Sequence, residues 1–322
     1  MIVSKAPLVL KLAGEHAVVY GRTAIACAID RYVRATLRSR GDDKIVLKFR
    51  DLREEYRRER TSSFFRYVNE CIRLIEELHG EKLKGIEIEL DIDKDVNPGA
   101  GLGTSAAACV ATLAALCKYL NISDNIAELA YQVELRVQGR ASRMDSYTSA
   151  LGGVTIVRRG TVERAHIDTS WLRIGIILLR KLRSTRELVK HVADLRSREP
   201  ELIDEIFNLI ERISLRILEA LERRDVEKLG KLVTRCHWLL NMLEVVDYRS
   251  NRIVIELLNN TNVAGAKISG AGYGGAILFI LRDNLDSLEL KELEVIHNSN
   301  AFKILCPVRI SDGGVEVLER GY

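Results

Sequence analysis

Alternation of apolar and polar positions dominates the first hundred residues. "LVLKLAG" (8–14) alternates, "TAIACAI" (23–29) is an unbroken apolar run, and "RYVRATLRS" (31–39) and "KIVLKF" (44–49) alternate again. This period of two predicts strands joined by tight turns. The period changes in "SSFFRYVNECIRLIEELHG" (62–80), which reads as a helix stopped by glycine. It changes back in "GIEIELDID" (85–93), where Ile86, Ile88, Leu90 and Ile92 share one strand face. That strand runs directly into "NPGAGLGTSAAA" (97–108). Beyond it, the small residues of "SAAACVATLAALCKYL" (105–120) predict a buried helix, and "DNIAELAYQVELRVQG" (124–139) predicts a second one ending at Gly139.

After about residue 168 the character changes. A strand, "RIGIILL" (173–179), precedes a long helical region over 185–243, which Pro200 must interrupt. "GAKISGAGYGGAILFIL" (265–281) is a glycine-dense turn running into a strand, and "AFKILCPVRI" (301–310) and "GGVEVLE" (313–319) are the last strands. No internal repeat or low-complexity segment is present. A boundary near 165–170 therefore separates a strand-rich half with two central helices from a helix-rich half, an α/β (α+β) organisation.

Composition narrows the class. A chain of 322 residues is long enough for one large or two ordinary domains. With 47% apolar and 29% charged residues it reads as soluble and globular, and a dispersed net charge of only +4 argues against nucleic-acid binding. The densest charge run, "REEYRRERT" (53–61), is expected to be a solvated helix face or a flexible excursion. "APLVLKLAG" (6–14) is too short for a secretory leader and is interrupted by Lys11, and no stretch is apolar enough to span a membrane. Six cysteines are scattered, without a CxxC, mostly in apolar surroundings. Reduced, buried thiols and a cytoplasmic location are the expectation.

The candidate chemistry starts at residues 97–108. A strand, then Gly99, Gly101 and Gly103, then a helix starting near Thr104–Ser105 can hold an anion: glycines let backbone N–H groups crowd a phosphate, and a helix N-terminus adds partial positive charge. The same residues also suit a plain helix cap, with Ser or Thr before an Ala-rich helix. The loop alone leaves both readings open. It is not a Walker A loop, because Gly103-Thr104-Ser105 lacks the lysine, and its G-x-G-x-G spacing is not the dinucleotide fingerprint.

Three segments, "GEHAVVYG" (14–21), "PGAGLGTSAAA" (98–108) and "KISGAGYGGA" (267–276), occur in this order. They closely resemble the signature segments of the GHMP small-molecule kinases. The first, followed by "AIACAI", has the form characteristic of the mevalonate kinase branch. The resemblance spans nearly the whole chain. It implies a two-domain GHMP kinase architecture, with a ribosomal-protein-S5-like N-terminal domain (1–167), a ferredoxin-like C-terminal domain (168–322) and the site between them. It further implies ATP and Mg²⁺, with phosphoryl transfer to a small alcohol, foremost the 5-hydroxyl of mevalonate in isoprenoid synthesis. A phosphomevalonate or sugar kinase, or an inert GHMP-fold binding protein, are the alternatives. If the chain assembles, a homodimer is the expected form.

Site residues follow from the same resemblance. Pro98, Gly99, Ala100, Gly101, Leu102, Gly103, Thr104 and Ser105, with Gly270 and Gly272, are expected around the nucleotide phosphates. In phosphoryl transfer the protein positions groups and balances charge, so the missing lysine shifts the burden to Mg²⁺. Ser105 and Glu134 are its expected ligands; Glu134 precedes Asp145 by eleven positions, the spacing of metal and catalytic acids in mevalonate kinases. Asp145 is the expected catalytic acid, beside the attacking hydroxyl, although its local context also suits a helix cap. The usual "APGK" lysine is absent, because Leu8-Val9 stand where Gly-Lys is expected. Lys11, two residues on, lies on the same strand face about 6–7 Å away and is the candidate replacement, with Lys5 or Arg143 as others. Arg143 stands where a glycine is usual, so an extra cation or a different turn is expected there. Glu15, His16 and Ser142 are expected at the substrate, as is Thr185, whose "RSTREL" context also predicts a capping box from Ser184 to Glu187.

Overall fold

The computed structural model describes residues 1–57, 62–80, 82–282 and 301–319. The chain opens with a long antiparallel hairpin of β1 (Ile2–Ala13) and β2 (Ala24–Ser39), joined through a 3-10 turn at Ala17–Tyr20. There follow β3 (Ile45–Phe49), β4 (Leu52–Glu55), α1 (Arg66–His79), β5 (Ile86–Ile92), α2 (Thr104–Leu120), α3 (Ile126–Gln138), α4 (Met144–Leu151), β6 (Val154–Arg158) and β7 (Thr161–Ala165). The second half holds β8 (Ile174–Leu179), α5 (Thr185–Arg198), α6 (Pro200–Glu222), α7 (Val226–Met242), α8 (Tyr248–Asn259), β9 (Val263–Ser269), β10 (Gly275–Leu281), β11 (Ala301–Val308) and β12 (Glu316–Glu319).

The strands form two sheets. The first runs β12-β1-β2-β5-β3-β4, with β6 and then β7 attached to β2. β2 is long enough to serve two neighbours: Ala24–Cys27 pair with β6, and Val33–Ser39 with β5. Leu8, Leu10 and Leu12 on β1 and Ile86, Ile88, Leu90 and Ile92 on β5 turn into one core. α2 lies on β1 and β2, flanked by α1 and α3. Its alanines are what let a helix approach a sheet this closely, and 11 of its 17 residues are buried. The second sheet, β11-β8-β10-β9, is antiparallel throughout and is backed by α7 and α8 on β9.

Several expectations change. Residues 52–55 form a strand rather than a helix face, and the rest of the "REEYRRERT" run, from 58 to 61, lies outside the described residues. The region 185–243 breaks twice. Pro200 starts α6 at its first turn, as the ring requires, and a second break follows α6, where Asp225 caps α7 by accepting from Lys228 N–H at 2.9 Å. Two helices are new: α4, at eight residues, is too short to show a clear period, whereas α8 does carry one, with Ser250, Ile253, Val254 and Leu257 buried. The division at 167/168 leaves β12 out of place: it pairs with β1 in the first sheet. Among the described residues no helix is long and apolar enough to cross a membrane, and Cys27, Cys71, Cys109, Cys117 and Cys236 are buried.

Candidate active site

The alternation of β1 delivers the first reacting group. Leu8, Leu10 and Leu12 face the main core, so Val9 and Lys11 face the other way, and Val9 packs with Ala24, Ala26 and Met144. Met144 opens α4, and the next residue is Asp145. The Lys11 ammonium stands 2.6 Å from Asp145 Oδ1 and 2.9 Å from Oδ2, in a partly shielded setting. Asp145 is not a helix cap. Arg143 occupies that position, and its side chain turns away to Glu128 (3.1 Å), Gly160 O and the Tyr131 ring. The extra cation expected at Arg143 is therefore absent from the site. Lys5 also leads elsewhere, to Glu316 at 3.1 Å and over the Tyr32 ring.

The glycine loop alternates. Gly99, Gly101 and Gly103 line a cavity of about 450 Å³, while Ala100 and Leu102 are buried beneath it. Leu102 O accepts from Val9 N–H at 2.9 Å, which ties the loop to β1. Neither Thr104 nor Ser105 caps α2: the cap is Gly103, with φ 64° and no side-chain hydrogen bond. Thr104 Oγ1 instead accepts from Gly99 N–H at 3.1 Å, closing the loop on itself. The first turn of α2 thus has no side-chain cap and opens on the cavity, the arrangement an anion needs. A Cβ at Gly101 would lie 3.2 Å from Ser269 O and 3.1 Å from Ala276 N, so the two glycine loops touch backbone to backbone. Gly270 lines the cavity, whereas Gly272 and Pro98 do not; Gly272 packs against Val245 instead.

Glu134, on α3, reaches the same cavity. It is buried, and its Oε2 has no hydrogen-bond partner. Burial, then the nearby Asp145 carboxylate, push it up to about 8, with Lys11 pulling the other way. An unpartnered buried carboxylate beside a second acid fits a cation. Ser105 lines the cavity too, as does Tyr67. Among the described residues no three His, Cys, Asp or Glu side chains cluster as a self-sufficient metal cage.

Glu15 and His16 form the cavity wall opposite the second glycine loop. His16 adopts φ 62°, which brings its Nε2 within 3.0 Å of Ala271 O; burial pushes its imidazole below the ordinary value. Glu15 Oε1 accepts from the fully buried Lys267 at 2.5 Å. From the other half come Thr185 and Lys181, whose ammonium donates to the Thr185 hydroxyl at 2.7 Å. Burial, and then Lys11, pull the Lys181 ammonium down to about 8, against Asp145. Ser142 lines the cavity, and Arg66, Arg140 and Arg186 stand around it. The Ser184–Glu187 capping box is present and sets the start of α5, placing Thr185 at its first position.

Comparison with known proteins gives the family. The family models for the GHMP kinases N terminal domain and the GHMP kinases C terminal match residues 66–153 and 217–292. The mevalonate kinase of Saccharolobus solfataricus is 35% identical over 293 residues, covering 87% of this chain and 90% of the relative. The chain belongs to the GHMP kinase family. A second relative, the mevalonate kinase of Archaeoglobus fulgidus, is 35% identical over 87% of this chain and 93% of its own length. The crystal structure of the Methanococcus jannaschii mevalonate kinase superposes with a TM-score of 0.80 at 27% identity, over 96% of this GHMP kinase and 98% of that chain.

Within this GHMP kinase the fold gathers Lys11, Asp145, Glu134, Ser105, Glu15, His16, Ser142 and Thr185 around one cavity. Two residues escaped the sequence reading. Lys181 sits in a charge-rich stretch, "RKLRSTR", where nothing marks one cation above its neighbours. Lys267 opens the third signature segment, yet only its burial on β9 shows that it has a task.

Proposed function

We propose that this GHMP kinase is a mevalonate kinase, transferring the γ-phosphoryl group of ATP to the 5-hydroxyl of mevalonate in isoprenoid synthesis. The observation that carries the reading is the Lys11–Asp145 ion pair, set beside an uncapped glycine loop in one cavity. Asp145 Oδ1 lies 3.4 Å from where a Cβ of Gly103 would stand, so an alcohol at Asp145 meets a phosphate at the loop without a gap. Gly99, Gly101, Gly103 and the first turn of α2 receive the phosphates. Asp145 takes up or orients the proton of the attacking hydroxyl, whose oxygen bonds to the γ-phosphorus as the bond to the β-phosphate oxygen breaks and ADP leaves. Lys11 offsets charge on the hydroxyl oxygen as the proton departs. Ser105 and Glu134 would hold Mg²⁺, which when bound neutralises phosphate charge. Lys181 and Thr185, together with Glu15, His16 and Ser142, face the acceptor, and Lys181 supplies a cation for an anionic acid such as mevalonate. Names of the relatives support this choice of acceptor.

The test is ATP consumption by the purified protein with mevalonate, phosphomevalonate and galactose in parallel. Turnover with mevalonate alone is expected. Preference for another acceptor would reassign the chain within the family, and no turnover despite nucleotide binding would make it an inert relative.

A further inference from the structure

Lys267 is completely buried, close to the site but not lining it. Lys267 and Ser269 are two apart on β9, so both project toward β1. Ile268 between them uses its N–H differently, donating to His237 Nδ1 at 3.4 Å. The Lys267 ammonium donates to Glu15 Oε1 at 2.5 Å and to Lys11 O at 3.2 Å. Ser269 Oγ accepts from Lys11 N–H at 3.0 Å, and Glu15 Oε1 also accepts from Gly270 N–H at 3.3 Å. Both backbone polar groups of Lys11 are therefore held by side chains of the second sheet. Glu15 Oε2 is left buried and without a protein partner, on a residue that lines the cavity.

Stability does not account for a lysine here. A buried ion pair is often no more stable than two apolar side chains of equal volume, so a methionine at 267 with an apolar partner at 15 would serve stability as well. An ammonium can do what a thioether cannot: bond the Lys11 carbonyl and the Glu15 carboxylate at once. We propose that Lys267 is a positioning residue for phosphoryl transfer: with Ser269 it sets the stance of Lys11 toward Asp145, and it holds one oxygen of Glu15 so that the other is offered to the acceptor alcohol. This rests on the function proposed above.

The test compares wild type, Lys267→Met and Ser269→Ala as full-length proteins, by steady-state kinetics with ATP and mevalonate and by thermal melting. Absence of mevalonate turnover by the wild type would sink the functional reading itself, and this inference with it. Given turnover, Lys267→Met is expected to lose about 10²-fold in kcat per folded molecule while KM for ATP changes by less than about threefold, since a misplacement near 1 Å has that effect on a reacting group. A folded Lys267→Met with kcat within about threefold of wild type overturns the proposal, leaving the pair a structural one. If Lys267→Met does not fold, Ser269→Ala decides, because it releases Lys11 N–H without touching any charge. A fall of about fivefold in kcat at unchanged KM for ATP is expected there, and no fall overturns the proposal.

Discussion

Lys11, two positions on from where the family resemblance sets a lysine, is the most informative residue in this molecule. Val9 and Lys11 share the face of β1 that looks toward α4, and the side chain from position 11 reaches Asp145 at 2.6 Å. The period of two is what makes the shift tolerable; a displacement of one would have sent the ammonium into the leucine core. The roles proposed for the pair lead to a specific outcome. Asp145→Asn should lower kcat by about 10³-fold or more, the range of a positioned acid or base, while the Kd for ATP stays within about threefold. Single-turnover rates with isothermal titration of ATP check both halves, and near-normal turnover would remove Asp145 from the chemistry.

At the scale of elements, much was legible. Strands β1, β2, β3 and β5 and helices α1, α2 and α3 lie where the change of period placed them, because each buries a full stripe. What escaped were elements whose boundaries are made by partners. α4 is only eight residues long and is held by its neighbours, Met144 packing with Val9 and the helix lying against α2 and α3. The glycine loop could be located from sequence, but its cap could not: only the structure shows Thr104 turned back to Gly99. The second glycine loop carries its own lesson. Gly272 adopts φ 102°, and a Cβ there would lie 1.9 Å from Val245 O. Gly272→Ala should therefore destabilise by about 2–4 kcal/mol, from strain and collision together. A drop of about 3–6 °C in the melting midpoint is the corresponding observation. An unchanged midpoint would mean that the loop and the 243–247 turn can part freely.

At the scale of the whole molecule, the two sheets meet where β1 touches β9, and α6 ties the first sheet to the second half by packing on β1, β2 and α7. Phe207 on α6 stacks on Tyr20 at 4.9 Å, and Glu211 accepts from both the N–H and the hydroxyl of Thr23, at 2.9 and 2.8 Å. His237 is an acid-sensitive point of this assembly, alongside His16. It is buried, accepts from Ile268 N–H through Nδ1, and meets Asn251 Oδ1 at 2.9 Å through Nε2. Burial pushes its imidazole down to about 4. The folded protein thus keeps His237 neutral where the unfolded chain takes up a proton, so its contribution is present above about pH 6.5 and is lost as pH falls toward 4. The loss amounts to on the order of 3 kcal/mol. Denaturant melts of wild type and His237→Gln from pH 7.5 to 4.5 should show a flatter dependence in the variant; parallel curves would place the acid-labile group elsewhere.

The pairing of β12 with β1 bears on how the protein comes into being. Ile2–Lys5 leave the ribosome more than 300 residues ahead of their partners, Glu316–Glu319. At about 5–20 residues per second, synthesis of the intervening chain takes roughly 15–60 seconds. Throughout that interval the nascent first sheet carries a bare strand edge, an open template for other chains. Shielding of that edge, whether by a chaperone or by the tunnel-proximal chain itself, is thus a demand that the topology places on the cell.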